Sequence, residues 1–343
     1  MEKKLKEEES FKIGALIDLH NHIDGSISFK SARELAEMQG MPFVEEEELK
    51  KMMMVGPDCR SLTEFLTKFD YPCSLLQTKS SITKCVNNLI KELKEGGLIY
   101  AELRFAPQRS LEKGLSMEEV VESAVAGLDA QIMPAGIILS CMRGEGEENE
   151  RLNRETVEMG KKFLGKGVVC VDLAGDESHF PTENFEGLLT YAKELGVPFI
   201  VHCGEAEKSD TGIHGMKTAI RLETSRIGHG VLSNKHPEFL KELAEKKVPL
   251  ELCPTSNLCT EIFPNIESYP LRKFMEAGVK FCINTDDMTV EGIDLMHEYE
   301  LVRSTFNLSK EEVKQILLTA VEISFATKEL KKKLCEQVEE FYK

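Results

Sequence analysis

A few histidines and carboxylates stand where they could hold a metal ion and activate water. His20 and His22 lie two apart at the end of the apolar run ALIDLH (15–20). His202 sits in FIVHC (199–203), His229 closes SRIGH (225–229), and Asp286 and Asp287 follow KFCIN (280–284). Neutral imidazoles and a carboxylate are the donors that borderline-soft Zn²⁺ prefers. Side chains two apart on a strand share a face, so His20 and His22 can aim at one point. Glu205 follows three residues after His202 in HCGEA (202–206). A carboxyl placed beside an activated water can shuttle a proton. His229 is flanked by glycines in RIGHG (226–230), which frees the backbone to approach a ligand. It is placed to orient or to deprotonate an attacking water.

Each residue also has a plainer explanation. A lone HxH is common, and His202 alone reads as a buried histidine bonded to a carbonyl. Asp286 and Asp287 alone read as a loop or helix cap, and Glu205 as a helix-start carboxylate. His179, His214, His236 and His297 are assigned such plain roles. The candidate set differs because its members fall at the ends of four separate apolar runs.

Those runs are the elements that must bring the set together. ALIDLH is followed by LIYAELRF (98–105), GIILSCM (136–142), VVCVDLA (168–174), FIVHC, SRIGH, PLELC (249–253) and KFCIN. Amphipathic stretches of helical length separate them, among them MEEVVESAVAGL (117–128) and PEFLKELAEK (237–246). Eight buried strands alternating with helices predict an α/β fold, a TIM-like (β/α)8 barrel. Residues from strands one and eight can meet only if that sheet closes on itself. An open doubly wound sheet is the structural rival, but no GxGxxG follows the first strand. One stretch breaks the rhythm: about seventy-five residues separate the first two runs, including MMMVGPDCRSLTEFLTKFDYP (52–72). We expect extra helices after strand 1, forming a lid insertion at about 30–95 on a single domain spanning 1–343. Barrel active sites lie at the C-terminal mouth that such a lid would cover.

Bulk properties narrow the partner. Of 343 residues, 43 are Lys or Arg and 59 are Asp or Glu, a net charge of −16. Binding to DNA, RNA or an anionic membrane draws on neutralising phosphates, so this balance argues against them. A neutral small molecule meets no such repulsion. The ten cysteines show no CxxC pair, which reads as reduced thiols in the cytoplasm. The charged start MEKKLKEEES does not read as a secretory leader, and no apolar run reaches the roughly 18 residues of a membrane span.

The chain resembles the adenosine deaminase family of the amidohydrolase superfamily. The matching segments are HNHIDGS (20–26), DLAGDE (172–177), HCGEA (202–206), RIGHG (226–230), CPTSN (253–257) and NTDD (284–287), with SLTEFLTKFDYP (61–72) similar to the family's lid region. The resemblance implies one Zn²⁺ per chain, held by His20, His22, His202 and Asp286. It implies Glu205 as proton donor to the purine N1, His229 acting on the attacking water, and Asp287 holding the attacking oxygen. His22, Asp24, Gly175 and Asp287 would contact the substrate, Gly175 through its backbone N–H and Asp24 at the ribose 5′-hydroxyl. The implied reaction is attack of water on C6 with loss of ammonia, converting adenosine or 2′-deoxyadenosine to inosine or its deoxy form.

Family members specific for the free base look like HxHxEG at the first motif, and those for N6-modified AMP like HxHxNG. Asp24 is the nucleoside-type choice, and its carboxylate would repel a 5′-phosphate. Two residues depart from the family pattern: Met288 where proline is usual, and Cys203 where alanine is common. Other expectations are adenine or a 5′-modified adenosine as substrate, or a non-catalytic nucleoside-binding barrel. A binuclear relative would carry a metal-bridging lysine at the end of strand four; VVCVDLAG has none, and Lys166 precedes the strand. Deaminases that bind zinc through HxE and PCxxC do not fit a chain lacking CxxC.

Overall fold

Runs of aliphatic and β-branched residues with no polar alternation form strands buried on both faces, as a parallel sheet requires. In the computed structural model, which describes residues 11–56, 59, 62–205 and 209–343, eight such strands appear. They are β1 (Leu16–His22), β2 (Leu98–Phe105), β3 (Ala135–Met142), β4 (Val168–Ala174), β5 (Phe199–Cys203), β6 (Arg226–His229), β7 (Leu250–Leu252) and β8 (Phe281–Ile283). The charged segment 1–10, Ser61 of the lid motif and Ala206 of HCGEA lie outside the described residues. Each strand pairs parallel with the next, in the order β1 to β8.

The sheet then closes. The His22 N–H donates to the Asp286 carbonyl at 2.8 Å, and the Asp286 N–H donates to the His20 carbonyl at 2.8 Å. Leu19 N–H donates to Asn284 Oδ1 at 3.0 Å on the same seam. An open doubly wound sheet would leave β1 and β8 unpaired, so the closed (β/α)8 barrel is the fold.

Helices α1 (Phe29–Met38), α2 (Glu46–Met53), α3 (Leu62–Leu66), α4 (Asp70–Leu75) and α5 (Lys79–Glu95) separate β1 from β2. Helix α5 buries Ile82, Val86, Leu89, Ile90 and Leu93 at helical spacing, and packs beside α6 (Met117–Ala126) in the outer layer. Capping boxes start both helices, Thr78 with Ser81 and Ser116 with Glu119; losing such a cap costs about 1 kcal/mol. Helix α7 (Ser209–Arg221) follows β5 and the single turn α8 (Met288–Glu291) follows β8; Tyr342, beyond α9 (Lys328–Phe341), shares an edge-on ring contact with Phe11.

The barrel interior is more ionic than the aliphatic layers usual in this architecture. Arg226 donates to both Glu102 and Glu251, and Arg104 donates to Glu251 at 2.8 Å and to the Leu19 carbonyl at 2.7 Å. All four side chains are fully buried. Below them the Arg226 guanidinium stacks 4.4 Å over the Phe325 ring, closing the floor. Removing one member of such a buried network typically costs about 3–5 kcal/mol, because its partner is left charged and alone. This network is also the base on which the site is built.

Candidate active site

At the C-terminal rim, ligand atoms from His20, His22, His202 and Asp286 all lie within 4.8 Å of one another. The Nε2 atoms of His20 and His22 stand 3.2 and 3.3 Å from Asp286 Oδ1, and the Nε2 atoms of His22 and His202 are 3.2 Å apart. His20 Nε2 is buried yet makes no hydrogen bond. A buried donor left orphaned beside two imidazoles and a carboxylate fits a cation in their midst. The donor set is neutral nitrogen plus carboxylate oxygen, which suits zinc.

The rings are held from behind. His20 Nδ1 meets Glu251 Oε2 at 2.7 Å, and His202 Nδ1 meets Asp172 at 3.0 Å. Both carboxylates are anchored in turn by Arg104. Fixing the outer nitrogen sets the tautomer, so that Nε2 presents its lone pair to a metal. Burial pushes the His22 and His202 imidazoles below their usual range. In His20 burial acts the same way, but Asp286 and Glu251 outweigh it and raise its pKa. A bound cation would take the place of that proton. Asp286 stays ionised despite burial, because His20, His229 and His22 surround it.

Next to the cluster, His229 Nε2 lies 3.2 Å from Glu205 Oε2 and 3.6 Å from Asp286 Oδ2. Burial pushes the His229 imidazole down to about 3, so the ring is neutral. Tyr269 O–H donates to Asn257 Oδ1, and Asn257 Nδ2 donates to His229 Nδ1 at 3.2 Å. That chain leaves the imidazole proton on Nε2, facing the cluster. Burial raises the Glu205 carboxyl well above its usual range, helped by Asp286 and Glu177, which favours its protonated form. His229 and Asp286 both hold left-handed backbone, φ 59° and 67°. Non-glycine residues persist there only when their surroundings demand it, and such strain gathers at functional sites.

Asp287 Oδ1 and Asp24 Oδ1 are buried with no partner, and both residues line a cavity of about 210 Å³. A Cβ at Gly25 would lie 1.7 Å from Asp287 Oδ1, which explains the glycine in HNHIDGS. His22, His202, Gly175, Glu205 and His229 line the same cavity, and Phe65, Leu66 and Phe69 from the insert supply an apolar wall. His20, a member of the cluster, is fully buried and does not line the cavity. The other four histidines are exposed and outside it.

Residues 15–341 match the family model described as adenosine deaminase. The chain belongs to the adenosine deaminase family. It is 39% identical over 337 residues to an adenosine deaminase of Haemophilus ducreyi, covering 95% of this chain and 96% of that one. It is 37% identical to one from Clostridium botulinum, covering 96% of this chain and all of the relative. Its fold is similar to the crystal structure of adenine deaminase from Arthrobacter aurescens, with a TM-score of 0.84 at 24% identity over 96% of this chain and 99% of the other. Adenosine deaminases are metal-dependent hydrolases, and the His/Asp cluster stands where such a metal would bind.

Several residues of this adenosine deaminase family member escape sequence reasoning. Glu251 and Asp172, with Arg104 behind both, hold the His20 and His202 rings from inside apolar strands; a glutamate between two leucines in β7, in PLELC, was the available signal. Asn257 and Glu177 lie inside the quoted motifs CPTSN and DLAGDE without an assigned role. Arg109 lines the cavity and is the main charge offsetting the burial of Asp24. At the departure Met288, the backbone N–H donates to Ser26 Oγ at 3.2 Å, a bond proline could not make. Cys203 is fully buried in β5. Among the described residues none of the ten cysteines forms a disulfide, and no helix is long and apolar enough to cross a membrane.

Proposed function

We propose that this protein hydrolyses adenosine and 2′-deoxyadenosine to inosine and 2′-deoxyinosine with release of ammonia, using one Zn²⁺ held by His20, His22, His202 and Asp286. The observation that carries this is the convergence of those four ligand atoms beside Glu205 and His229 on one cavity wall. A zinc ion held there would supply a nucleophile at neutral pH, since zinc lowers the pKa of bound water from about 15.7 to about 7.

The chain's own residues do the rest. Glu205, whose protonated form burial favours, gives a proton to the purine N1, so that C6 can accept the incoming electron pair; such a general acid contributes about 10²–10⁴-fold. His229, neutral with its proton on Nε2, orients the attacking oxygen rather than stripping it of a proton. Asp287 offers its orphaned Oδ1 to the same oxygen. Gly175 holds the purine through its N–H, His22 packs beside the ring as a ligand that also lines the cavity, and Asp24 bonds the ribose 5′-hydroxyl. The insertion at about 30–95 serves as a lid on a single domain, with its Phe65, Leu66 and Phe69 covering the substrate. A cytoplasmic setting suits a protein rich in thiols with no disulfide among its described residues.

A second reading has one observation in its favour. Arg109 beside Asp24 offsets the repulsion that a lone carboxylate would exert on a 5′-phosphate. A panel of adenosine, 2′-deoxyadenosine, adenine, AMP and 5′-deoxyadenosine, followed by ammonia release, tests both. Adenosine and its deoxy form should turn over fastest. A preference for AMP would favour the second reading, and binding without ammonia release from any of them would favour a non-catalytic barrel.

A further inference from the structure

Glu177 is fully buried, and its carboxylate grips the turn that carries the proton donor. The Gly204 N–H lies 3.0 and 2.9 Å from its two oxygens, and the Glu205 N–H donates to Oε2 at 3.2 Å. Gly204 has φ +74°, and a Cβ there would meet Met216 at 2.8 Å and the Gly230 Cα at 3.2 Å. The turn therefore has no side chain of its own at that position and is held from outside. On the far side of the carboxylate lies Gly215 of α7, where a Cβ would come within 3.2 Å of Glu177 Oε1. The carboxylate is thus confined between the turn it binds and the helix behind it.

Resting on the adenosine deaminase reading of the site, we infer that Glu177 is a positioning residue for Glu205: its bonds to the Gly204 and Glu205 amides fix where the Glu205 carboxyl meets the purine. The chemical demand is for acceptors on both oxygens. A carboxylate has them, whereas an amide of the same shape has one acceptor and would turn N–H groups toward N–H groups. Bonds from backbone amides to a buried carboxylate are charge-assisted and roughly twice as strong as neutral ones. A shift of about 1 Å at a reacting group can cost on the order of 100-fold in rate. The amides that Glu177 holds belong to Gly204 and Glu205, the turn that carries the proton donor. Its loss should therefore appear in turnover.

The test is a double-mutant cycle on the zinc-loaded full chain, with Glu177→Gln, Glu205→Gln and the pair assayed on adenosine. Glu177→Gln should lower kcat about 10–100-fold, as loss of a partner behind an active group does, while KM and zinc content hold. In the Glu205→Gln background the same change should cost almost nothing further, because the group it positions is gone. Unchanged kcat in Glu177→Gln, or an undiminished loss in the Glu205→Gln background, overturns the inference, since a merely structural role would be additive. Should Glu177→Gln fail to fold, Glu177→Asp, which keeps the charge but shortens the reach, is put through the same cycle and judged by the same outcomes. A wild-type protein inactive on the whole purine panel would instead remove the functional reading beneath it.

Discussion

Asp286 meets His20 twice: its backbone N–H donates to the His20 carbonyl at 2.8 Å, and its Oδ1 lies 3.2 Å from His20 Nε2. One residue thus closes the barrel and completes the donor set. Its left-handed backbone, φ 67°, costs on the order of 1–3 kcal/mol, and the seam with β1 holds it in place. The barrel seam and the donor cluster share Asp286, so metal binding should be felt in stability as well as in chemistry.

The ligand set is tested by His202→Ala. The variant should lose zinc affinity by at least about 100-fold and lose activity with it. In the wild type, stripping zinc with a chelator should lower stability by about 4 kcal/mol relative to metal at a thousand times its Kd. Metal analysis after gel filtration and melting curves check both; full zinc content in His202→Ala removes His202 from the set.

Glu205→Gln should retain zinc and nucleoside binding but lose about 10²–10⁴-fold in kcat, the usual worth of a general acid. Binding is read by equilibrium dialysis and turnover by ammonia release. Near-normal turnover would refute the role.

Asp24→Ala should reduce kcat/KM for adenosine more than for adenine or 5′-deoxyadenosine, neither of which offers a 5′-hydroxyl. The lost bond is to a charged acceptor and corresponds to about 1.5–3 kcal/mol, roughly 10- to 150-fold. An equal loss on all three compounds would show that Asp24 does not read that hydroxyl.

Glu298 yields a stability prediction with a definite sign. It is fully buried, and burial raises its pKa from 4.5 to about 8. Between those values the unfolded chain has released this proton and the folded chain retains it. The contribution of Glu298 to stability is therefore present in full below about pH 4.5 and is lost as pH rises toward 8, by up to about 1.4 kcal/mol per unit. Glu298→Gln should flatten that slope and gain on the wild type from pH 6 to pH 8, measured as urea midpoints on the zinc-loaded protein. Parallel pH profiles for the two proteins would count against it.

The eight strands were legible because strands buried on both faces leave near-continuous apolar runs. β2 and β4 coincide with their runs, while β1 continues past His20 to His22. The donors were legible because histidine and aspartate are uncommon at the ends of such runs. What stands behind them was not. Glu251, Asp172, Arg104 and Arg226 are charges inside apolar strands, and only the closed barrel shows which opposite charge each one meets. The same holds for Glu177, whose partners are amides in another loop, and for Arg109, which reaches the Asp24 end of the cavity from the segment after β2. Side chains that act by pairing across the barrel leave no periodic trace along the chain.

The central claim is most directly tested by anomalous scattering at the zinc edge from crystals grown with Zn²⁺. The account predicts one strong peak at the barrel mouth, bonded to the Nε2 atoms of His20, His22 and His202 and to the Asp286 carboxylate. Crystals of active protein with no peak there, or with the zinc bound by other side chains, would contradict it.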